Sequence, residues 1–353
     1  MSSFLFSEGD SMRKFLKDFV NEEIIKKFCE LFSIKPHEIK TLKNSTRCVF
    51  QINYDDKSYI LKLFDSTDRI KEEIQGEIDF SKACIEAGVS TYDALFSVNE
   101  KTIEELPVDE GRLAYGFAYE MIDGIEIEES NDAFQEFTNE MLFDWGKLMG
   151  KIHRVSREFT SAGRKFSRLQ WDETDTIDYN KYLPESEEKL RDVFKNTISE
   201  ISSIPKDDGN FGLTHGDLHY GNFFINDTGL SVIDFDSSSY FYYVADIAIP
   251  LYSVLPYPRY RRVERKEFAE KYLYNFLKGY YTEYSLPKED LKKIPLFLKY
   301  EDMANFLALY RHWDLNNLSK GQKRVMRRNH YHITSEIPFV DFGNDLDKII
   351  SGL

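Results

Sequence analysis

The sequence predicts an α+β protein in two lobes: a small β-rich N-terminal lobe with leading helices over residues 1–122, and a larger, mainly helical lobe over 123–353. Three observations predict it. The length of 353 residues suits two compact units at roughly 100–200 residues each. Between residues 41 and 122 most β-rich runs are short and bounded by polar turns, whereas beyond residue 134 apolar side chains recur mostly at helical spacing. One island of short strands, 212–236, interrupts the helices and concentrates polar residues within apolar flanks.

Residues 11–32 carry Phe15, Leu16, Phe19, Ile24, Ile25, Phe28, Leu31 and Phe32 at a helical period that stops before Pro36. The runs 48–52 and 58–64 flank the polar turn 53–57 and read as a hairpin. A helix follows over 72–87, with Gly88 at its stop. Strand-like runs come next at 94–98 and 113–122, then an acidic linker at 125–132. Helices are expected over 134–153, 182–201, 267–284 and 291–317.

Composition narrows the function. With 46 basic and 61 acidic side chains the net charge is −15, so phosphate backbones are repelled and a nucleic-acid partner is not expected. The basic runs at 259–266 and 320–328 read as solvated helix faces against that background. Cys29, Cys48 and Cys84 are odd in number and far apart, which suggests neither a disulfide framework nor a zinc site. No secretory leader or spanning segment is expected: the apolar stretch 244–257 is broken by Asp246, Pro250 and Pro256. These features point to a soluble cytoplasmic protein with no membrane partner.

The island reads His215-Gly216-Asp217-Leu218-His219-Tyr220-Gly221-Asn222, then a turn at 226–229, then Ile233-Asp234-Phe235-Asp236. Carboxylates in apolar segments are costly unless something pairs with them. Carboxylate and amide oxygens suit Mg²⁺, which keeps waters and takes further ligands from substrate phosphates. An Asp, an Asn five residues on and a further Asp across a hairpin is the spacing of kinase machinery, in the order base, metal ligand, metal ligand.

This pattern, H-G-D-x-x-x-x-N and then D-F-D, is similar to the signature of the aminoglycoside phosphotransferase and choline kinase-like superfamily, relatives of the protein-kinase fold. The resemblance extends over about residues 40–310, including 145–153 and Val244-Ala245-Asp246-Ile247-Ala248. It implies that Asp217 is the catalytic base, that Asn222 and Asp234 hold Mg²⁺ with Asp236 as an additional acid, and that His215 and Asp246 support the loop. It further implies that Lys62 pairs with phosphates and with Glu77, and that backbone atoms of Glu120, Met121 and Ile122 face the adenine. The phosphate loop departs from the family: 43–47 holds no glycine, so Ser45 and Thr46 hydroxyls and the Arg47 cation are the groups there.

The function expected is ATP- and Mg²⁺-dependent transfer of the γ-phosphoryl group to a hydroxyl of a small molecule such as an amino alcohol, sugar or aminoglycoside, with GTP as the alternative nucleotide. Two rival readings share the scaffold: a protein Ser/Thr kinase of the stress-response type, and a nucleotide-binding pseudokinase. Intact Asp217, Asn222, Asp234 and Lys62 argue against the second.

Overall fold

A computed structural model describes residues 20–44, 47–109, 111–127, 137–227, 229–255 and 262–353. Helix α1 (Glu22–Leu31) starts where the Asn21 side chain accepts the Ile24 amide at 2.9 Å. Five antiparallel strands follow: β1 (Glu38–Asn44), β2 (Arg47–Tyr54), β3 (Lys57–Asp65), then β4 (Glu104–Asp109) and β5 (Arg112–Glu120), in the order β1-β2-β3-β5-β4. Alternation along β3 sorts its side chains. Leu61 and Leu63 join Phe50 and Ile52 under α1, while Ile60, Lys62 and Phe64 face the opposite side, where α2 (Lys71–Glu86) and the cleft lie.

The expected hairpin and the helix at 72–87 are present as β2–β3 and α2. The strand expected at 94–98 is not. Ala94 makes one isolated bridge to Tyr119, and Phe96 and Val98 are 68% and 62% exposed. The sheet edge is taken instead by the acidic β4, whose Glu104 turns inward to Ser97 Oγ at 2.6 Å and Asn99 Nδ2 at 2.8 Å.

The second half is built on α3 (Asn139–Ser161), which buries Leu142, Trp145, Leu148, Met149 and Ile152 on one face. It lies along α7 (Arg262–Tyr280) at backbone contact: a Cβ on Gly146 would overlap the Phe276 carbonyl, and one on Gly279 the Phe143 carbonyl. Short α4 (Tyr179–Tyr182) and α5 (Glu188–Ser202) lead into β6 (Phe211–Thr214), β7 (Phe223–Asn226), β8 (Gly229–Val232) and β9 (Ser239–Tyr242). Helices α6 (Tyr243–Val254), α8 (Lys288–Leu291), α9 (Ile294–His312), α10 (Lys320–Thr334) and α11 (Asp345–Ser351) complete the lobe.

The sequence reading missed α4, α6, α8, α10 and α11, began α5 six residues early and began α7 five residues late. The leading helical stretch before residue 20, residues 128–136 of the linker region, and residues 256–261 of the first basic run lie outside the described residues. Among the described residues no helix is long and apolar enough to cross a membrane, and the side chains of Cys29, Cys48 and Cys84 are buried.

Candidate active site

Two antiparallel pairings fold the motif island onto itself. Thr214 of β6 pairs with Ser239 of β9, and Phe223 of β7 with Val232 of β8, so the connections 215–222 and 233–238 must run side by side. They are joined directly. The Ile233 amide donates to the Asn222 carbonyl at 2.9 Å, and His215 Nε2 to the Ile233 carbonyl at 3.0 Å. That second bond puts the ring proton on Nε2 and leaves Nδ1 to accept the Asp217 amide at 3.3 Å. Gly216 has φ +80° and packs so tightly on the Ser237 carbonyl that a Cβ would collide with it.

Below the loop, Asp246 on α6 accepts the amides of His215 (2.8 Å) and Gly216 (3.0 Å). His153 of α3 reaches Asp246 Oδ2 at 3.0 Å and the Tyr280 hydroxyl at 2.8 Å. Burial opposes the Asp246 charge, but hydrogen bonding and attraction from His153, with further help from His215, hold its carboxyl below the usual carboxylate range. Burial pulls both histidines below the usual imidazole value. Asp217 is 7% exposed, with His219 Nε2 3.8 Å from its carboxylate. Asn222 Nδ2 donates to the Asp217 carbonyl at 2.7 Å, which aims the amide and leaves its Oδ1 as a ligand atom.

Asp234 sits in the left-handed region at φ 66°, ψ 62°, a conformation Asp tolerates better than most residues. Facing it across the cleft, Lys62 Nζ lies 2.7 Å from Glu77 Oε1 and 3.1 Å from Asp234 Oδ1. Burial works against the Glu77 charge, yet Lys62 and Arg168 hold its carboxyl below the usual range, and the Tyr92 hydroxyl donates to it at 2.8 Å. The Arg47 guanidinium pairs with both Asp234 and Asp236.

The residues fit a divalent cation. A positive guanidinium already lies where the two carboxylates converge, and the Asn222 amide oxygen is a third hard ligand on the adjoining turn. Among the described residues no cluster of three His, Cys, Asp or Glu side chains forms a complete metal cage. Mg²⁺ does not need one, since it usually retains waters and draws on substrate phosphates.

The cleft has a volume of about 1490 Å³, and its lining includes Lys62, Met121, Ile122, Asp217, Asn222, Asp234, Asp236 and Asp246. Glu77 and His215 stand behind that lining. The Glu120 side chain turns outward to Lys57 at 2.7 Å and the Met121 amide donates to the Ser58 carbonyl at 2.8 Å, so of these two it is the Glu120 carbonyl that is left for a base. Ser45 and Thr46 lie outside the described residues.

Sequence reasoning missed three features. Arg168 is buried and donates to the Ser238 carbonyl at 2.8 Å and the Glu73 carbonyl at 2.9 Å, tying the Asp236 turn to α2. Trp171 stacks on Phe241 at 4.8 Å in the cleft wall. Glu301, Ala304, Asn305 and His312 present one face of α9 to the cleft. Burial, with the Asp217 and Asp246 charges adding to it, pushes the Glu301 carboxyl up to about 8. The signal for it was a Glu-Asp pair inside an apolar helix.

Residues 39–285, well over half the chain, match the phosphotransferase enzyme family. The chain belongs to that family. This phosphotransferase is 27% identical over 326 residues to the amicoumacin kinase of Bacillus subtilis (strain 168), covering 92% of this chain and 96% of that protein. The solved structure of an amicoumacin kinase in complex with AMP-PNP, Ca²⁺ and Ami superposes at TM-score 0.87 with 25% identity, over 96% of this chain and 100% of that one. A microcompartment-associated aminopropanol kinase shares the fold at TM-score 0.69 and 17% identity, over 89% of this chain and 96% of the other. The resemblance read from the motif and the expected fold class both hold, and the reaction is phosphoryl transfer to a small-molecule hydroxyl.

Proposed function

We propose that this phosphotransferase uses ATP and Mg²⁺ to phosphorylate a hydroxyl of an amine-bearing small molecule, an amicoumacin-like antibiotic or an amino alcohol. The observation that carries this reading is the junction of the two connections. Asp217, Asn222 and Asp234 stand on adjoining hydrogen-bonded turns, opposite the buried Lys62–Glu77 pair. We place the lobe boundary at Ile122–Asp123, with the nucleotide in the cleft beside it.

In this reading Asn222 and Asp234 hold Mg²⁺, with Asp236 beside them, and the bound metal neutralises charge on the transferring phosphates. Lys62, oriented by Glu77, binds the phosphates. The Glu120 carbonyl and the backbone at Ile122 meet the adenine, with the Met121 side chain in the wall. Asp217 Oδ accepts the acceptor hydroxyl proton as its oxygen attacks. His215 and Asp246 do not touch substrate; they fix the backbone that carries Asp217. ATP is supported by the AMP-PNP complex of the amicoumacin kinase, and a cytoplasmic location by the ATP requirement.

The acceptor enters along α9. Glu301 offers a carboxyl that an incoming ammonium would re-ionise, and Trp171 gives an apolar wall. The printed name of one neighbour, the aminopropanol kinase, agrees with an amine-bearing acceptor. The deciding experiment is ATP consumption over a panel of amicoumacins, amino alcohols, aminoglycosides and neutral sugars, with the phosphate monoester identified by mass. Consumption that no member of the panel raises above background would defeat the reading.

A further inference from the structure

The metal carboxylates are engaged by an arginine that comes from the other side of the cleft. Arg47 is the first residue of β2, at the end of the glycine-free loop. Its Nη2 pairs with Asp234 and its Nη1 with Asp236, and its side chain is 8% exposed. The fork therefore spans both carboxylates at once, one Nη on each.

Neither carboxylate depends on Arg47 for its position. The Asp236 turn is held by Arg168, through the carbonyls of Asp236 and Ser238, and by Arg69 Nη1, 3.2 Å from both the Asp236 carbonyl and its Oδ1. Asp234 keeps Lys62 at 3.1 Å. Arg47 is thus an additional cation in the region a metal would occupy, and a metal and a guanidinium sharing these oxygens would repel each other. The same loop, 43–47, contains no glycine, so the cation at its end has a second anionic partner once a triphosphate arrives.

We propose that Arg47 is a resident counter-cation of the metal carboxylates: it occupies Asp234 and Asp236 in the nucleotide-free protein and passes to the phosphates when metal and nucleotide bind together. The metal site then opens only to a metal–nucleotide complex. This rests on Asp234 and Asp236 being the metal ligands.

The test is Mn²⁺ binding to the full chain without nucleotide, read from the paramagnetic resonance signal of the free ion, in wild type, Arg47→Gln and Arg47→Lys. Arg47→Gln is expected to bind Mn²⁺ at least about ten-fold more tightly than wild type, and Mg·AMP-PNP at least about ten-fold more weakly with adenosine affinity unchanged. Arg47→Lys keeps the charge without the fork and is expected to tighten Mn²⁺ binding several-fold, which preserves the test if the glutamine variant does not fold. Unchanged or weaker Mn²⁺ binding in the variants overturns the occupancy, and unchanged AMP-PNP affinity overturns the transfer. Asp234→Asn separates the two levels. If it leaves Mn·AMP-PNP binding intact, the metal assignment is wrong; if it abolishes that binding while the Arg47 variants behave as wild type, only the counter-cation role fails.

Discussion

His153 and Asp246 form a fully buried pair, Nε2 to Oδ2 at 3.0 Å, at the root of the loop that carries Asp217. Both Asp246 oxygens also accept loop amides. Asp246→Asn puts an NH₂ group against one of those amides and removes the buried charge that the His153 ring and the loop amides stabilise by hydrogen bonds. A loss of about 3–5 kcal/mol in stability is expected, with kcat reduced more than nucleotide affinity. Urea denaturation and nucleotide titration check the two halves.

Asp217→Asn keeps the shape of the site and removes the carboxylate proposed as proton acceptor. The turnover number should fall by roughly 10²–10⁴-fold, the range for losing a general base, while the nucleotide Kd stays within about two-fold by calorimetry. Undiminished turnover would remove Asp217 from the role of base.

Glu77→Gln tests the positioning pair. Nucleotide affinity is expected to fall, and the acid limb of the stability curve to flatten. A carboxyl held below its ordinary value, roughly 4.3 for glutamate, contributes stability that is fully present above that pH and is lost as pH drops through the depressed folded value. Thermal denaturation between pH 7 and 3 should therefore show a shallower decline in the variant than in wild type.

Glu301 gives the acceptor side a pH signature. With its carboxyl pushed up to about 8, the group is largely protonated at neutral pH in the free protein. A cationic acceptor favours the ionised form, so binding releases a proton and the acceptor KM should fall as pH rises toward 8. Glu301→Gln should raise the KM and remove that slope, with the KM for ATP unchanged. Steady-state kinetics between pH 6.5 and 8.5 decide it.

Much of the site was legible because its residues are polar in an apolar setting. Asp217, Asn222 and Asp234 fall within one short stretch flanked by strands, and hairpin pairing brings them together without help from distant segments. Lys62 could be placed because it lies within the strand run 58–64, as the phosphate-pairing lysine of the resembled family does. Other parts depended on tertiary context. Residues 94–98 have β-prone side chains but only one bridging partner, whereas β4 is acidic and finds its place through Glu104. Helix α6 was obscured by Pro250, tolerated in a buried helix of twelve residues, and α10 by a Lys- and Arg-rich sequence that leaves most of its surface in solvent. Arg168 and Trp171, three residues apart, and Glu301 on α9 lie far from the motif in sequence, and no spacing rule ties them to it. The outward turn of Glu120 toward Lys57 follows from strand register, which a single sequence does not display.

The bonds from His215 to the Ile233 carbonyl and from the Ile233 amide to the Asn222 carbonyl make the two connections one mechanical unit. Arg47 and Lys62 on the sheet, with Glu77 on α2 beside it, form the opposite bank. Hinging of the sheet away from the helices, to let spent nucleotide out, would carry off the cations and leave the spacing among Asp217, Asn222 and Asp234 untouched. Product release and chemical fidelity are thereby assigned to different joints, and selection can retune the first without loosening the second.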